Sequence, residues 1–170
     1  MTTNYTTTAT AATTTGNPDA LVPAPAQRIS LPDLTPGFYK AMYGLDRASR
    51  EGVDPVIAEL VRIHASAING CAYCLDMHTT DALKGGERDH RIHSLPAWRE
   101  TPWFTARERA ALALTESVTL LTEGHVPDAV FDEAARQFEP AELAQLIALI
   151  ITINAWNRIG VTSRLSPAPR

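Results

Sequence analysis

From Pro36 to Ile159 the chain repeats one arrangement: a proline or capping residue, then apolar residues three and four apart, then a glycine or a break. Pro36 starts a segment in which Phe38, Met42 and Leu45 recur at helical spacing, ending near Gly52. Asp54-Pro55 is a helix start with proline at the first helical position, followed by the apolar stripe Val56, Leu60, Ile63 and Ala67 and stopped by Asn69-Gly70. A new segment runs from Cys71 to Gly85-Gly86, and a short helix is predicted over residues 87–93, ahead of Pro96. Thr105 and Glu108 fit a capping box for a helix to about Leu121; Pro127 opens another, and Pro140 opens the last, to about Ile159. The alternating, turn-bounded runs that mark strands are missing. The fold class this predicts is all-α, a helical bundle of antiparallel helix pairs joined by short loops.

The last segment is apolar on most of its circumference: Leu143, Leu146, Ile147, Leu149, Ile150, Ile151 and Ile153. A helix apolar all round must be covered all round, either at the centre of a bundle or by a partner subunit. The residues leave both open; in the second case a charge at Ile150 would break a homo-oligomer. The apolar run over residues 143–153 is interrupted by Gln145 and too short to span a membrane. Fifteen Lys and Arg against nineteen Asp and Glu give a net charge of −4, which argues against binding nucleic acid through a general basic surface. The Thr- and Ala-rich residues 1–27 hold no Lys or Arg and no continuous apolar stretch, so they fit neither a secretory signal nor a mitochondrial presequence. They are expected to be a disordered tail before a helical domain at residues 28–164, with a short C-terminal tail at 165–170, in a cytoplasmic protein that engages no membrane.

The chemistry-bearing residues are Glu59 and, after eleven intervening residues, Cys71-Ala72-Tyr73-Cys74-Leu75-Asp76-Met77-His78. On one helix Cys71, Cys74 and His78 fall within roughly 60° of a single face, at ~100° per residue. Two cysteines are too few for a secreted disulfide framework, and a C-x-x-C pair at a helix start is the arrangement of dithiol redox sites. Free N–H groups and the helix dipole there favour a thiolate at Cys71. Cys74 is instead one turn from His78, which can take its proton. On a continuous helix Glu59 would lie ~18 Å from Cys71. If the chain reverses at Asn69-Gly70, position 59 comes opposite position 80, and Glu59 approaches His78. Carboxylate, imidazole and dithiol then form one chain able to move a proton off a thiol.

Glu59, Cys71, Cys74 and His78, with the Asn69-Gly70 lead-in, resemble the signature of AhpD-like alkylhydroperoxidases in the carboxymuconolactone decarboxylase superfamily. The resemblance covers residues 29–164, including Ile153-Asn154-Ala155-Trp156-Asn157-Arg158. It implies an all-helical fold, a homotrimer or homohexamer, and reduction of organic or hydrogen peroxides by a cysteine pair cycling through a disulfide, with no cofactor or metal. It further implies Cys74 as the attacking thiolate, Cys71 as the resolving thiol, Glu59 and His78 as the proton relay, and an external dithiol, lipoamide-type as in the family, as reductant. Some members carry a histidine just before the second cysteine. Here that place is Tyr73, a poor base at neutral pH and a candidate pocket residue, which leaves His78 more of the relay. The decarboxylase branch lacks the cysteine pair, so that reaction is not implied.

Three blander readings compete. The cysteines can be buried small hydrophobes. Cys71, Cys74, His78 and Glu59 can ligate a structural zinc, although such sites usually use more sulfur and join separate loops. The fold can also serve as a non-catalytic binding or regulatory module. Thioredoxin-type exchange needs a βαβ surround that this chain lacks. His64, His90, His93 and His125 have no partner at metal-ligand spacing and are expected to be ordinary histidines; Trp98 and Trp103 are expected to cover the core.

Overall fold

The computed structural model describes residues 19–168, and among them every regular element is helical. In chain order these are α1 (Leu31–Leu34), α2 (Pro36–Ser49), α3 (Pro55–Ile68), α4 (Ala72–Lys84), α5 (Asp89–Ser94), a 3₁₀ segment (Leu95–Glu100), α6 (Ala106–Thr119), a 3₁₀ turn (Leu121–Glu123), α7 (Asp128–Gln137) and α8 (Pro140–Ser163). The starts are those the caps dictate. Asp54 accepts the N–H groups of Val56 and Ile57 at the head of α3, and Thr105 with Glu108 closes a complete capping box at the head of α6. α8 runs four residues past the expected Ile159 and ends at Arg164 in a left-handed cap. Of the expected N-terminal tail, residues 1–18 lie outside the described residues. Residues 19–29 are exposed and outside any helix, and the Arg28 N–H is tied to the Ser163 carbonyl at 2.9 Å.

Two helices form the centre. α3 packs against α4, α6 and α8. Its buried residues therefore go round the helix: Ile57, Ala58, Leu60, Val61, Ile63, Ala65. The stripe expected from one-sided periodicity is half wrong, because Val56 is 45% exposed and Ala67 is also exposed. A helix enclosed by three neighbours has no single apolar stripe. α8 is the second centre, in contact with α2, α3, α4, α6 and α7, and the bundle itself covers most of its apolar circumference. Ile150 is fully buried there and is a core residue; Ile151, 53% exposed, is the one that faces outward. By length and composition α8 is the one described helix able to cross a membrane, yet 56% of its most apolar 18-residue stretch is buried inside the bundle.

Candidate active site

The site stands where the α3–α4 turn meets α8. Gly70 closes α3 at φ +67°, a left-handed conformation that costs glycine little, and the chain reverses. The Cys71 N–H then bonds the Ser66 carbonyl at 3.0 Å, so α4 runs back antiparallel along α3. Three asparagines clamp this turn. The Asn69 amide donates to Asn154 Oδ1 and Asn157 Oδ1, each at 3.0 Å, while Asn157 donates to Ser66 Oγ and Asn154 to Thr119 Oγ1. Buried polar groups satisfied by one another in this way fix one arrangement of the turn.

Cys71 is the N-cap of α4 and its sulfur accepts the Cys74 N–H at 3.4 Å; the two cysteines are joined in a disulfide, their Cα atoms 5.4 Å apart. Both are almost fully buried, yet their surroundings differ. Cys74 and His78 border a cavity of about 140 Å³ walled by Tyr39, Tyr43, Tyr73 and Trp156, whereas Cys71 is not among its lining residues. Cys71 is turned instead to α8, where a Cβ built on Gly160 would stand 2.7 Å from its sulfur. Of the two sulfurs, Cys74 is the one a ligand in that cavity can meet.

Glu59 lies behind His78. Its Oε2 is 2.9 Å from His78 Nδ1 and its Oε1 is 2.6 Å from an Arg62 guanidinium nitrogen. Burial alone would raise the Glu59 carboxyl, but the His78 and Arg62 hydrogen bonds and charges outweigh it and hold the group below the usual carboxylate range. An ionised carboxylate only accepts, so His78 Nδ1 is the nitrogen that donates to Glu59, and in the neutral ring Nε2 is the acceptor. On its far side Glu59 borders a second cavity of about 300 Å³, which Arg50 and Arg62 also line. Arg62 Nη2 is buried without a hydrogen-bond partner among the described residues. Those residues contain no group of three or more His, Cys, Asp or Glu side chains placed to hold a metal ion.

The model of the carboxymuconolactone decarboxylase family matches residues 36–117, a span that holds Glu59, both cysteines and His78. YdfG of Bacillus subtilis (strain 168), itself uncharacterized, is 36% identical over 137 residues, 80% of this chain and 93% of that protein. A protein of unknown function from Agrobacterium tumefaciens, named as a candidate antioxidant defence protein AhpD, superposes with a TM-score of 0.82 at 33% identity, over 85% of this chain and 100% of that one. The chain is an AhpD-like member of the carboxymuconolactone decarboxylase family. The debrominase Bmp8 shares the fold alone: TM-score 0.71 at 19% identity, over 80% of this chain and 74% of that one.

In this AhpD-like chain the reversal at Asn69-Gly70 brings together all four signature residues, and Tyr73, 40% exposed, sits at the pocket that Cys74 and His78 border. Sequence reasoning missed Arg62, although its place three residues after Glu59 on one helix is itself a pairing signal. It also missed Tyr39 and Tyr43, an aromatic pair one turn apart on α2. His64 is not partnerless: it is buried, with Nε2 2.9 Å from Glu116 Oε1, which also accepts from Trp98 Nε1. Glu116 stands fifty-two residues away, outside any local spacing rule. Trp98 is a core residue as expected, while Trp103 is 44% exposed.

Gly160 is a further residue that sequence reasoning passed over, and it gives a test of this packing. Alanine is ordinarily better than glycine inside a helix by about 1 kcal/mol. Here the new Cβ would stand 2.7 Å from Cys71 Sγ and 3.5 Å from Cys74 Sγ, and overpacking of a core site costs about 1–3 kcal/mol. With the disulfide closed the sulfur has nowhere to go; with it reduced, the Cys71 side chain can rotate away. Gly160→Ala is therefore expected to lower the melting temperature of the oxidised protein while leaving that of the reduced protein level or higher. Equal shifts in both forms would contradict this packing.

Proposed function

We propose that this protein is a thiol-dependent peroxidase of the alkylhydroperoxidase type, working through a Cys71/Cys74 dithiol–disulfide cycle with a Glu59/His78 proton relay. The observation that carries the reading is the shared pocket: Cys74 and His78 face one cavity, Glu59 backs His78, and Cys71 is within bonding reach of Cys74. The family likeness and the antioxidant-defence description of the Agrobacterium protein support the same chemistry. In the reduced enzyme His78 Nε2 takes the Cys74 proton. The thiolate attacks the terminal peroxide oxygen, the O–O bond breaks, and the departing alkoxide or hydroxide recovers that proton. Cys74 is now a sulfenic acid. Cys71 attacks its sulfur, water leaves and the disulfide forms. An external dithiol, of the lipoamide type in the family, reopens it by exchange at the pocket-facing Cys74 sulfur and restores both thiols in a reducing compartment such as the cytoplasm.

The test is thiol titration before and after one equivalent of peroxide, with metal content measured on the same sample. Loss of two thiols per chain without intermolecular cross-links is the expected result. Tightly bound zinc with unreactive thiols would favour a structural metal site, and thiols inert in a metal-free protein would favour a binding or regulatory module. We propose further that the chain works as a homotrimer or homohexamer. Ile151, apolar and 53% exposed on α8, is the position to test. Ile151→Asp is expected to shift sedimentation toward smaller species, and a wild-type protein that is monomeric at micromolar concentration would contradict the assembly.

A further inference from the structure

The cavity in front of Cys74 has a wall of unusual composition. Tyr39 and Tyr43 come from α2 and Trp156 from α8, and each ring lies 5.4 Å from the other two, centroid to centroid. Three rings in mutual contact hold one another in place, so the wall is preformed. Tyr73 and Met77 of α4 line the cavity too. Asp46 and Arg50 also border it, but their side chains pair with each other at 2.8 Å and offer no net charge to hold an ionised ligand. The space measures about 140 Å³. An enclosed apolar void of about 150 Å³ holds one benzene ring; this cavity is of that size but opens to solvent beside Tyr43 and Tyr73, 61% and 40% exposed. Hydrogen peroxide would leave most of this space empty and gain nothing from the rings.

We propose that the substrate of this site is a hydroperoxide carried on one ring-sized apolar body, an aryl-alkyl or similarly compact group, and that Trp156, Tyr39 and Tyr43 select it. The inference rests on the peroxidase reading and narrows its substrate. The peroxide end lies toward Cys74 and His78, and the apolar body packs on the three rings. Cys74 sulfur gains one oxygen and is oxidised to the sulfenic acid; the hydroperoxide is reduced to the alcohol, whose oxygen takes the proton held by His78. Burying the body does not change these bonds. It holds the O–O bond in line with the sulfur, so binding energy remote from the reacting atoms appears in the rate of the first step.

The experiment compares kcat/KM for cumene hydroperoxide, hydrogen peroxide and linoleic acid hydroperoxide, in the wild type and in Trp156→Ala and Tyr43→Ala. Burying one aromatic ring is worth about 10- to 100-fold, and cumene hydroperoxide should exceed hydrogen peroxide by that factor. It should also exceed the long-chain hydroperoxide, whose tail the cavity cannot enclose. The ratio of cumene hydroperoxide to hydrogen peroxide should fall about 10-fold in each variant, whatever happens to the absolute rates. Tyr43 is 61% exposed, so its truncation gives a folded protein even where Trp156→Ala does not. Equal kcat/KM for cumene hydroperoxide and hydrogen peroxide, an unchanged ratio in the folded variants, or preference for the long chain would overturn the inference while leaving the peroxidase reading intact. Failure to consume any of the three peroxides would overturn that reading, and the inference with it.

Discussion

Cys74→Ser should abolish peroxide consumption, a loss on the order of 10³-fold or more, as expected when the group that forms the covalent intermediate is removed. A serine hydroxyl at that position has no thiolate form, and His78 cannot make it a comparable nucleophile toward an O–O bond. Cys71→Ser should behave differently. Without external dithiol, Cys74 would still face the cavity beside His78 and would reach the sulfenic acid once, but no thiol would be left in the chain to resolve it. The expected progress curve is a single stoichiometric burst followed by arrest. The two thiols are thus asymmetric by position: Cys71 caps α4 and lies against Gly160, whereas Cys74 lines the cavity. The helix start favours ionisation of Cys71, but a thiolate walled off by α8 has no peroxide to attack. Steady turnover by Cys74→Ser would reverse the assignment.

His78→Gln and Glu59→Gln should each slow the first step by about 10²-fold, the usual contribution of a positioned proton carrier, without unfolding the chain. Glutamine at 59 keeps the shape but loses the charge that fixes the His78 tautomer, so Nε2 is no longer the assured acceptor. The carboxyl also leaves a mark on stability. Its folded value is depressed, so its contribution is present above the unfolded carboxyl value of about 4.3 and is lost as pH falls through the folded one. The gap in urea midpoint between wild type and Glu59→Gln should therefore close as pH is lowered through the acid range. Arg62→Met removes part of the depression, so in that background the gap should be smaller and its closure complete at a higher pH. A gap that does not change with pH would mean that Glu59 is not held ionised by these partners.

Local rules carried the sequence as far as the Glu59–His78 contact. Asp54 and the Thr105–Glu108 box announced two helix starts, and Asn69-Gly70 announced the reversal from which the approach of Glu59 to His78 followed. What local rules could not give is whatever joins distant helices. The ring cluster pairs residues 39 and 43 with 156, the asparagine clamp joins 69 with 154 and 157, and Gly160 meets Cys71, each across α8. Periodicity says that α8 must be covered all round and does not say by what. The same limit explains α3, where Val56 and Ala67 fit a one-sided stripe that a helix enclosed by three neighbours does not have.

The central claim is that Cys74 attacks and Cys71 resolves, and one measurement bears on it most directly. Reduced Cys71→Ser and reduced Cys74→Ser are each given one equivalent of cumene hydroperoxide in the presence of a sulfenic-acid trap, and the label is located by mass spectrometry. The account predicts label on Cys74 in the first variant and no label on Cys71 in the second. Label on Cys71 in Cys74→Ser, with Cys74 unlabelled in Cys71→Ser, would contradict it.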